Sequence, residues 1–289
     1  MTILSERAPA KINLTLDVLG RRPDGYHELL SLVAFASDAS DVVTLDTSRP
    51  PGCDVTGPFG GSIAGQNLVE VTLAKLQSAD PGLNLGHVTL TKNLPVAAGI
   101  GGGSADAAAV LRAVARANPD RAAAIDWTAI ALSIGSDVPV CLQSRLSWMT
   151  GTGDGVTAVD GATLGALYAV IANPLVSVPA DKTAQVYRAL RAPPIAANFE
   201  RRLPNLTHDM LDFVVSSRNA LQAVALEIVP EIAIVLDELA ALPGVKLARM
   251  SGGGPTCFAL FDATDAASAA AAELGARRPA WWVVASGLS

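Results

Sequence analysis

Four glycines within five residues, Gly99 and Gly101 to Gly103, interrupt the stretch Pro95-Val-Ala-Ala-Gly-Ile-Gly-Gly-Gly-Ser-Ala-Asp-Ala-Ala-Ala109. Ahead of them Val88-Thr-Leu-Thr-Lys92 alternates apolar and polar side chains, the period of a half-buried strand. Behind them Ala105 to Ala117 is mostly Ala, Val and Leu, which suits a helix packed closely on a neighbour. The order strand, glycine loop, helix gathers backbone N–H groups at a helix N-terminus. Such a terminus attracts anions, phosphate above all, because unpaired N–H groups and the helix dipole act together. Neither of the two commonest phosphate loops fits. Ser104-Ala105 stands where a Walker A motif has Lys-Ser/Thr, and Ser104 takes the place of the third glycine of the dinucleotide fingerprint. A plain turn capped by Ser104 is the competing reading, but four glycines exceed what one turn requires.

Composition narrows the partners. With 289 residues, half of them hydrophobic, the chain can build a substantial core in one large or two ordinary domains. A formal charge of −6 with scattered Lys and Arg argues against a nucleic-acid or membrane-surface binder. Cys53, Cys141 and Cys257 are odd in number and far apart, which suits neither a disulfide framework nor a clustered metal site and points to a reducing cytoplasm. No apolar run reaches the roughly 18 to 20 residues that span a bilayer, and no signal segment is evident.

Along the chain, Ile12, Leu14, Leu16 and Val18 alternate with Asn13, Thr15 and Asp17, predicting a strand with Lys11 and Asn13 on its polar face. Arg21-Arg-Pro-Asp-Gly-Tyr-His27 contains a turn signal that sets Tyr26 and His27 just past a bend. Strand is predicted again at 41–46, loop and hairpin at 50–65, and helix from Asn67. A helix over 127–134 should stop at Gly135, and Pro139 predicts that Asp137 lies in an irregular turn. A glycine-rich change of composition at 149–161 marks the domain boundary, giving domains 1–158 and 159–289. The second half reads as strand 165–172, helices 183–190, 216–227, 230–242 and 266–274, and strands 245–250, 257–261 and 281–285, with Ser251-Gly-Gly-Gly-Pro255 as a second glycine turn. Alternating strands and helices predict a small α+β sandwich there.

Phosphoryl transfer needs phosphate positioning, charge neutralisation and a carboxylate near the attacking hydroxyl. Asp137 is the preferred carboxylate and Lys11 the preferred cation, since a nearby lysine favours an ionised aspartate and a developing alkoxide.

Pro9-Ala-Lys-Ile-Asn-Leu14, Pro95 to Ala109 and Ser251-Gly-Gly-Gly254, in this order, resemble the three motifs of the GHMP kinase superfamily. Together with Arg-Pro-Asp-Gly-Tyr-His27 and Gly-Ser-Asp-Val-Pro139 they are similar to the branch that acts on a diphosphocytidyl-methylerythritol in non-mevalonate isoprenoid synthesis. The resemblance spans the chain. It implies a two-domain α+β fold: an N-terminal ATP-binding domain with a left-handed βαβ unit, and a C-terminal α+β sandwich carrying substrate. It also implies transfer of the ATP γ-phosphoryl group to a hydroxyl of that small molecule, with Asp137 as base, Lys11 as its partner and Asn13 holding substrate. By the same resemblance Tyr26 and Tyr187 stack on the cytosine, His27 hydrogen-bonds it and Thr183 lies close by. Base–aromatic stacking of this kind supplies about 1–3 kcal/mol. On the ATP side the resemblance implies Asn67 and Lys92 near the adenine, Pro95, Ala97, Ala98, Gly99, Ile100, Gly101, Gly102, Gly103, Ser104 and Ala105 along the phosphates, and Asp106 nearby. Mg²⁺ is expected with ATP on general grounds, with Ser104 the candidate ligand. Ala105, Ala220, Gln222 and Pro255 depart from the family's usual residues. Another small-molecule kinase of the superfamily, of homoserine or mevalonate type, and a noncatalytic nucleotide-binding protein on the same fold are the alternatives. The Tyr26-His27 pair speaks against the first, and Lys11 with Asp137 against the second.

Overall fold

A twenty-residue strand, His27–Asp46, is the longest element of the chain and supplies a pairing edge to most of the strands around it. The computed structural model describes residues 2–63, 65, 67–160, 165–179, 181–196, 199–204 and 210–289. In chain order the elements are β1 (Ile3–Asn13), β2 (Asp17–Arg21), β3 (His27–Asp46), β4 (Gly52–Thr56), α1 (Leu68–Ala79), β5 (His87–Thr91), α2 (Gly102–Ala117), α3 (Pro119–Ala122), α4 (Trp127–Ile134), α5 (Val138–Gln143), β6 (Ser147–Gly151) and β7 (Gly155–Ala158). Then follow β8 (Tyr168–Asn173), α6 (Lys182–Leu190), α7 (Met210–Ser216), α8 (Gln222–Ile228), α9 (Glu231–Ala240), β9 (Leu247–Met250), β10 (Cys257–Phe261), α10 (Thr264–Arg277) and β11 (Trp282–Gly287).

The chain forms two compact units that interleave in sequence. The first comprises Met1–Lys11, Ala39–Val96 and Gly101–Ser144; the second comprises Ile12–Asp38, Ala97–Ile100 and Arg145–Ser289.

In the first unit the C-terminal part of β3 pairs antiparallel with β5, and β5 pairs parallel with β4. The β4–α1–β5 connection is the βαβ unit expected ahead of the glycine loop. Helix α2 packs against α1, α3, α4 and α5. Its Ala105, Ala107, Ala108, Ala109 and Ala113 are all at most 1% exposed, which lets neighbouring backbones approach closely. Arg112 ties this helix down: it donates to Glu6, to the Cys141 carbonyl at 2.9 Å and to the Arg7 carbonyl at 2.6 Å.

In the second unit, the N-terminal part of β3 pairs with β2 on one edge and β6 on the other, and β6 turns back into β7. The glycine-rich change of composition is therefore a hairpin for most of its length; Gly161 lies outside the described residues. Strands β11, β8, β10 and β9 form a fully antiparallel sheet, packed by α9 and α10 over a core that includes Val170, Ile232, Val235, Leu239, Phe261 and Leu274. This is the α+β sandwich that the alternation predicts.

Four local expectations change. The strand expected over 12–18 is broken: β1 ends at Asn13 and β2 starts at Asp17. Leu14 and Thr15 both donate to the Leu32 carbonyl, and the Thr15 hydroxyl accepts from Leu32 N–H, so local bonds replace the ladder. Lys11 and Asn13 are not on a solvated face; they are 3% and 1% exposed. The segment 50–65 contains a strand, β4. Instead of one helix over 216–227, α7 ends at Ser216 and α8 starts at Gln222, with Asn219 between them pairing with Leu16. Gln222, one of the departures, accepts from Met250 N–H at 3.0 Å, and Asn219 donates to the carbonyls of Met250 and Gly252. That segment braces the second glycine turn.

The two glycine segments of the second unit meet backbone to backbone. A Cβ on Gly99, at φ +80°, would stand 2.6 Å from the Gly254 carbonyl oxygen, and one on Gly252 would stand 2.6 Å from that of Gly99. Gly99→Ala is therefore expected to cost about 2 kcal/mol or more in urea unfolding, through strain and overlap. Gly275→Ala, in α10 where a Cβ meets nothing within 4 Å, is expected to stabilise by about 0.5–1 kcal/mol. Equal effects at the two positions would contradict the packing.

Candidate active site

Gly101, at φ +65°, is the N-cap of α2, and no side chain caps the helix. The helix thus starts at Gly102, three residues earlier than its alanine run suggests, and Ser104 lies inside its first turn. The capped-turn reading is excluded, and the first N–H groups remain available to an anion. Each glycine here is tight against a side chain. A Cβ on Gly101 would stand 3.3 Å from Lys11 Cβ and Cε, one on Gly102 would stand 3.2 Å from Lys92 Nζ, and one on Gly103 would stand 3.3 Å from Leu68 Cδ1.

Lys11, near the end of β1, donates through Nζ to Asp137 Oδ2 at 2.9 Å. Its side chain is 4% exposed and that of Asp137 is 32% exposed, so the aspartate faces solvent while the lysine does not. Asp137 lies in the short turn between α4 and α5, as expected, and is the N-cap of α5, which starts at Val138 although Pro139 follows. Pro139 is tolerated because a first-turn N–H has no intrahelical partner to lose. Gly135 is the C-cap of α4, and α5 begins three residues later at Val138. The buried Cys141 thiol is pushed up to about 12, by burial first and then by Asp137, and stays inert at neutral pH.

Lys92 is buried in a triad, donating to Asp41 at 2.5 Å and to Asp106 at 2.6 Å. Burial pulls the lysine down, but the two carboxylates outweigh it and leave it raised. Burial pushes Asp106 up to about 8, Lys92 opposing and Asp41 adding to the rise. Asp106 Oδ1 is buried without a hydrogen-bond partner among the described residues. Asp41 also receives the N–H groups of Asn93 and Leu94, which fixes the chain leaving β5. Asn67 caps α1, its side chain accepting from Val69 N–H at 3.0 Å. Lys92 and Asn67 therefore both have protein partners in this unit.

In the second unit Asn13 holds the glycine turns. Its N–H donates to Ser251 Oγ at 3.2 Å, Ser251 Oγ donates to the Gly99 carbonyl at 3.2 Å, and Asn13 Nδ2 donates to Ser31 at 2.8 Å. Asn13 Oδ1 is buried and unpartnered among the described residues. The turn before β3 places Tyr26 with 66% of its surface exposed. His27 stacks on Tyr187 of α6, ring centroids 5.0 Å apart and planes 28° apart. The structure thus brings His27 and Tyr187 together and leaves Tyr26 at the surface. Burial, then Arg21, lowers the His27 pKa and favours a neutral ring at physiological pH, one nitrogen donating and one accepting. Thr183 Oγ1 lies 3.8 Å from the Cβ position of Gly253.

Sequence reasoning missed Asp41, Arg112 and Lys182. A signal existed for Asp41, which shares the buried face of β3 with Val43 and Leu45 at period two. Arg112 sits in a helix and Lys182 at a helix start with nothing to distinguish them from solvated basic residues.

Residues 67–145 match the family model described as GHMP kinases N terminal domain, and residues 195–279 match that described as GHMP kinases C terminal. A 4-diphosphocytidyl-2-C-methyl-D-erythritol kinase of Methylobacterium radiotolerans is 48% identical, covering 98% of each chain. One of Rhodopseudomonas palustris is 44% identical, over 100% of this chain and 99% of that one. A solved 4-(cytidine 5'-diphospho)-2C-methyl-D-erythritol kinase superposes with TM-score 0.78 at 33% identity, over 99% of both chains. A homoserine kinase from Cytophaga hutchinsonii, TM-score 0.69 at 16% identity, shares the fold. The chain belongs to the GHMP kinases. Full-length identity places it, among them, in the 4-diphosphocytidyl-2-C-methyl-D-erythritol kinase family.

Because the folded state raises Asp106 from 3.8 to about 8, it favours the protonated form. That contribution is fully present below about pH 4 and is lost as pH rises toward 8. Asp106→Asn removes the titration, so its melting temperature relative to the unsubstituted chain is expected to climb between pH 4 and 8. A pH-independent difference would contradict the burial of this carboxyl.

Proposed function

We propose that the chain transfers the γ-phosphoryl group of ATP to the 2-hydroxyl of 4-diphosphocytidyl-2-C-methyl-D-erythritol, serving non-mevalonate isoprenoid synthesis. The buried Lys11 ammonium on Asp137 carries this reading. Asp137 is the base: Oδ2 is held by Lys11, and the carboxylate accepts the hydroxyl proton as the oxygen attacks the γ-phosphorus. Lys11 orients the carboxylate and offers positive charge to the developing alkoxide. The N-terminus of α2, with Gly101, Gly102, Gly103 and Ser104, receives phosphate oxygens, preceded in the chain by Pro95, Ala97, Ala98, Gly99 and Ile100. Ala105 is buried and contributes no hydroxyl. Asn67, Lys92 and Asp106 support the nucleotide from behind this loop.

Tyr187 offers the cytosine a ring face, His27 a hydrogen-bonding edge and Tyr26 an exposed ring that stacks on the base. Asn13 and Thr183 take the polar groups of the alcohol. Among the described residues no group of three or more His, Cys, Asp or Glu forms a metal cage. That fits Mg²⁺ held largely by phosphate oxygens, with the Ser104 hydroxyl at the first turn of α2 as its protein ligand. Bound there, it would neutralise charge on the β- and γ-phosphates. A division near residue 158 separates the two family-model matches and remains our proposal for the domain boundary. We place the enzyme in the cytoplasm, a reading that suits three free cysteines and the absence, among the described residues, of any helix long and apolar enough to cross a membrane.

Steady-state kinetics test the assignment. Asp137→Asn is expected to lower kcat roughly a hundred- to ten-thousandfold while ATP still binds; near-normal turnover would remove Asp137 as base. Tyr187→Ala is expected to raise KM for the cytidyl alcohol about tenfold or more with little change for ATP, as loss of base stacking requires. Equal changes for both substrates would refute the aromatic site.

A further inference from the structure

Lys182, the first residue of α6, is 2% exposed and has no part in the mechanism above. Its ammonium donates to the Gly254 carbonyl and, at 3.4 Å, to the Ala97 carbonyl. Among the described residues no carboxylate pairs with it. Desolvation alone brings its pKa down to about 8. A buried cation stabilised only by carbonyl dipoles is a costly way to fill space, and a methionine of similar volume would avoid the cost. Its carbonyl partners are therefore its reason for being there.

Those partners belong to one pattern. Ala97 has φ +55°, a conformation unfavourable for a residue with a Cβ, and must be held in it. The next two carbonyls are also drawn into the protein: that of Ala98 accepts from Thr256 N–H at 3.1 Å and that of Gly99 accepts from Ser251 Oγ at 3.2 Å. Three consecutive carbonyls are thus held by protein donors, that of Ala97 by Lys182 and those of Ala98 and Gly99 by the second glycine segment and its flank. A loop that receives phosphate has to point its carbonyl oxygens away from the anion. Of the three anchors, Lys182 is the one that comes from outside both segments, and it donates to each, to Ala97 on one side and to Gly254 on the other. A long stem ending in three donors can do this, where a hydroxyl or a single N–H cannot.

We infer that Lys182 is a positioning residue for phosphoryl transfer: its ammonium straps Ala97 to Gly254 and so sets the orientation of the glycine loop that takes the phosphates of ATP. The inference rests on the kinase reading and adds to it a residue that touches neither substrate. The same helix carries Tyr187, so the strap and the stacked ring share one rigid element.

Calorimetric titration with ATP, reading dissociation constant and binding-competent fraction separately, tests it on the full chain. Lys182→Met is expected to weaken ATP about tenfold or more at an unchanged competent fraction. It is also expected to raise KM for ATP while KM for the cytidyl alcohol stays within about twofold. Lys182→Arg, which keeps a charged multiple donor, is expected to recover most of the loss. If Lys182→Met fails to fold, Lys182→Gln takes its place with the same ATP-selective weakening expected. A reduced competent fraction at unchanged affinity, unchanged affinity in every variant, or no recovery in Lys182→Arg would overturn the strap. Because ATP binding is read directly, an unsubstituted chain that bound ATP but phosphorylated no cytidyl alcohol would refute the kinase reading instead.

Discussion

Burying a lysine ammonium is costly unless acceptors or an opposite charge meet it, and Lys11 meets the carboxylate of Asp137. This pair fixes more than its own two side chains. To place the ammonium, β1 runs in beside α2, where Gly101 has no Cβ to obstruct the lysine stem. To place the carboxylate, Gly135 closes α4 and Asp137 caps the start of α5. Arg112, further along α2 and bonded to Glu6, Arg7 and Cys141, ties those segments together. The pair is unequal in exposure, with the aspartate toward solvent. That is the asymmetry a base needs when it meets substrate and its partner does not.

Glycine serves two distinct ends in this chain. At Gly101 to Gly103 it lets Lys11, Lys92 and Leu68 come close beneath a helix N-terminus. At Gly99, Gly252 and Gly254 it lets two backbone segments touch without side chains between them. Ser251 and Asn13 stitch that second contact with hydrogen bonds, and Lys182 adds a charge to it. In the proposed site, carbonyl groups are held back from the phosphates as well as N–H groups presented to them.

The Lys11–Asp137 pair and the glycine run at the start of α2 were legible in the sequence because their motifs are local: a strand carrying Lys11, a glycine run, a helix and a turn carrying Asp137. Their environment was less legible. The alternation from Ile12 to Val18 looks like one strand, yet all of Ile12 to Leu16 is buried, so the pattern marks no exposed face and the chain turns within it. Pro139 reads as a helix breaker but stands where a helix tolerates it. The start of α2 was placed late because glycine has low helix propensity, whereas here close packing demands it. Arg112 and Lys182 look solvated in sequence; only tertiary contact reveals the partners that hold them in place. The stacked His27 and Tyr187 are separated by most of the chain, a juxtaposition that periodicity carries no information about.

Substrate choice is the point at which the account is most exposed. The direct measurement is ATP-dependent phosphoryl transfer by the purified chain, with Mg²⁺ supplied, to 4-diphosphocytidyl-2-C-methyl-D-erythritol, homoserine and mevalonate in parallel. Phosphorylation of the cytidyl alcohol alone, at its 2-hydroxyl, is the predicted result. Comparable turnover of homoserine or mevalonate, or turnover of none of the three, would contradict it.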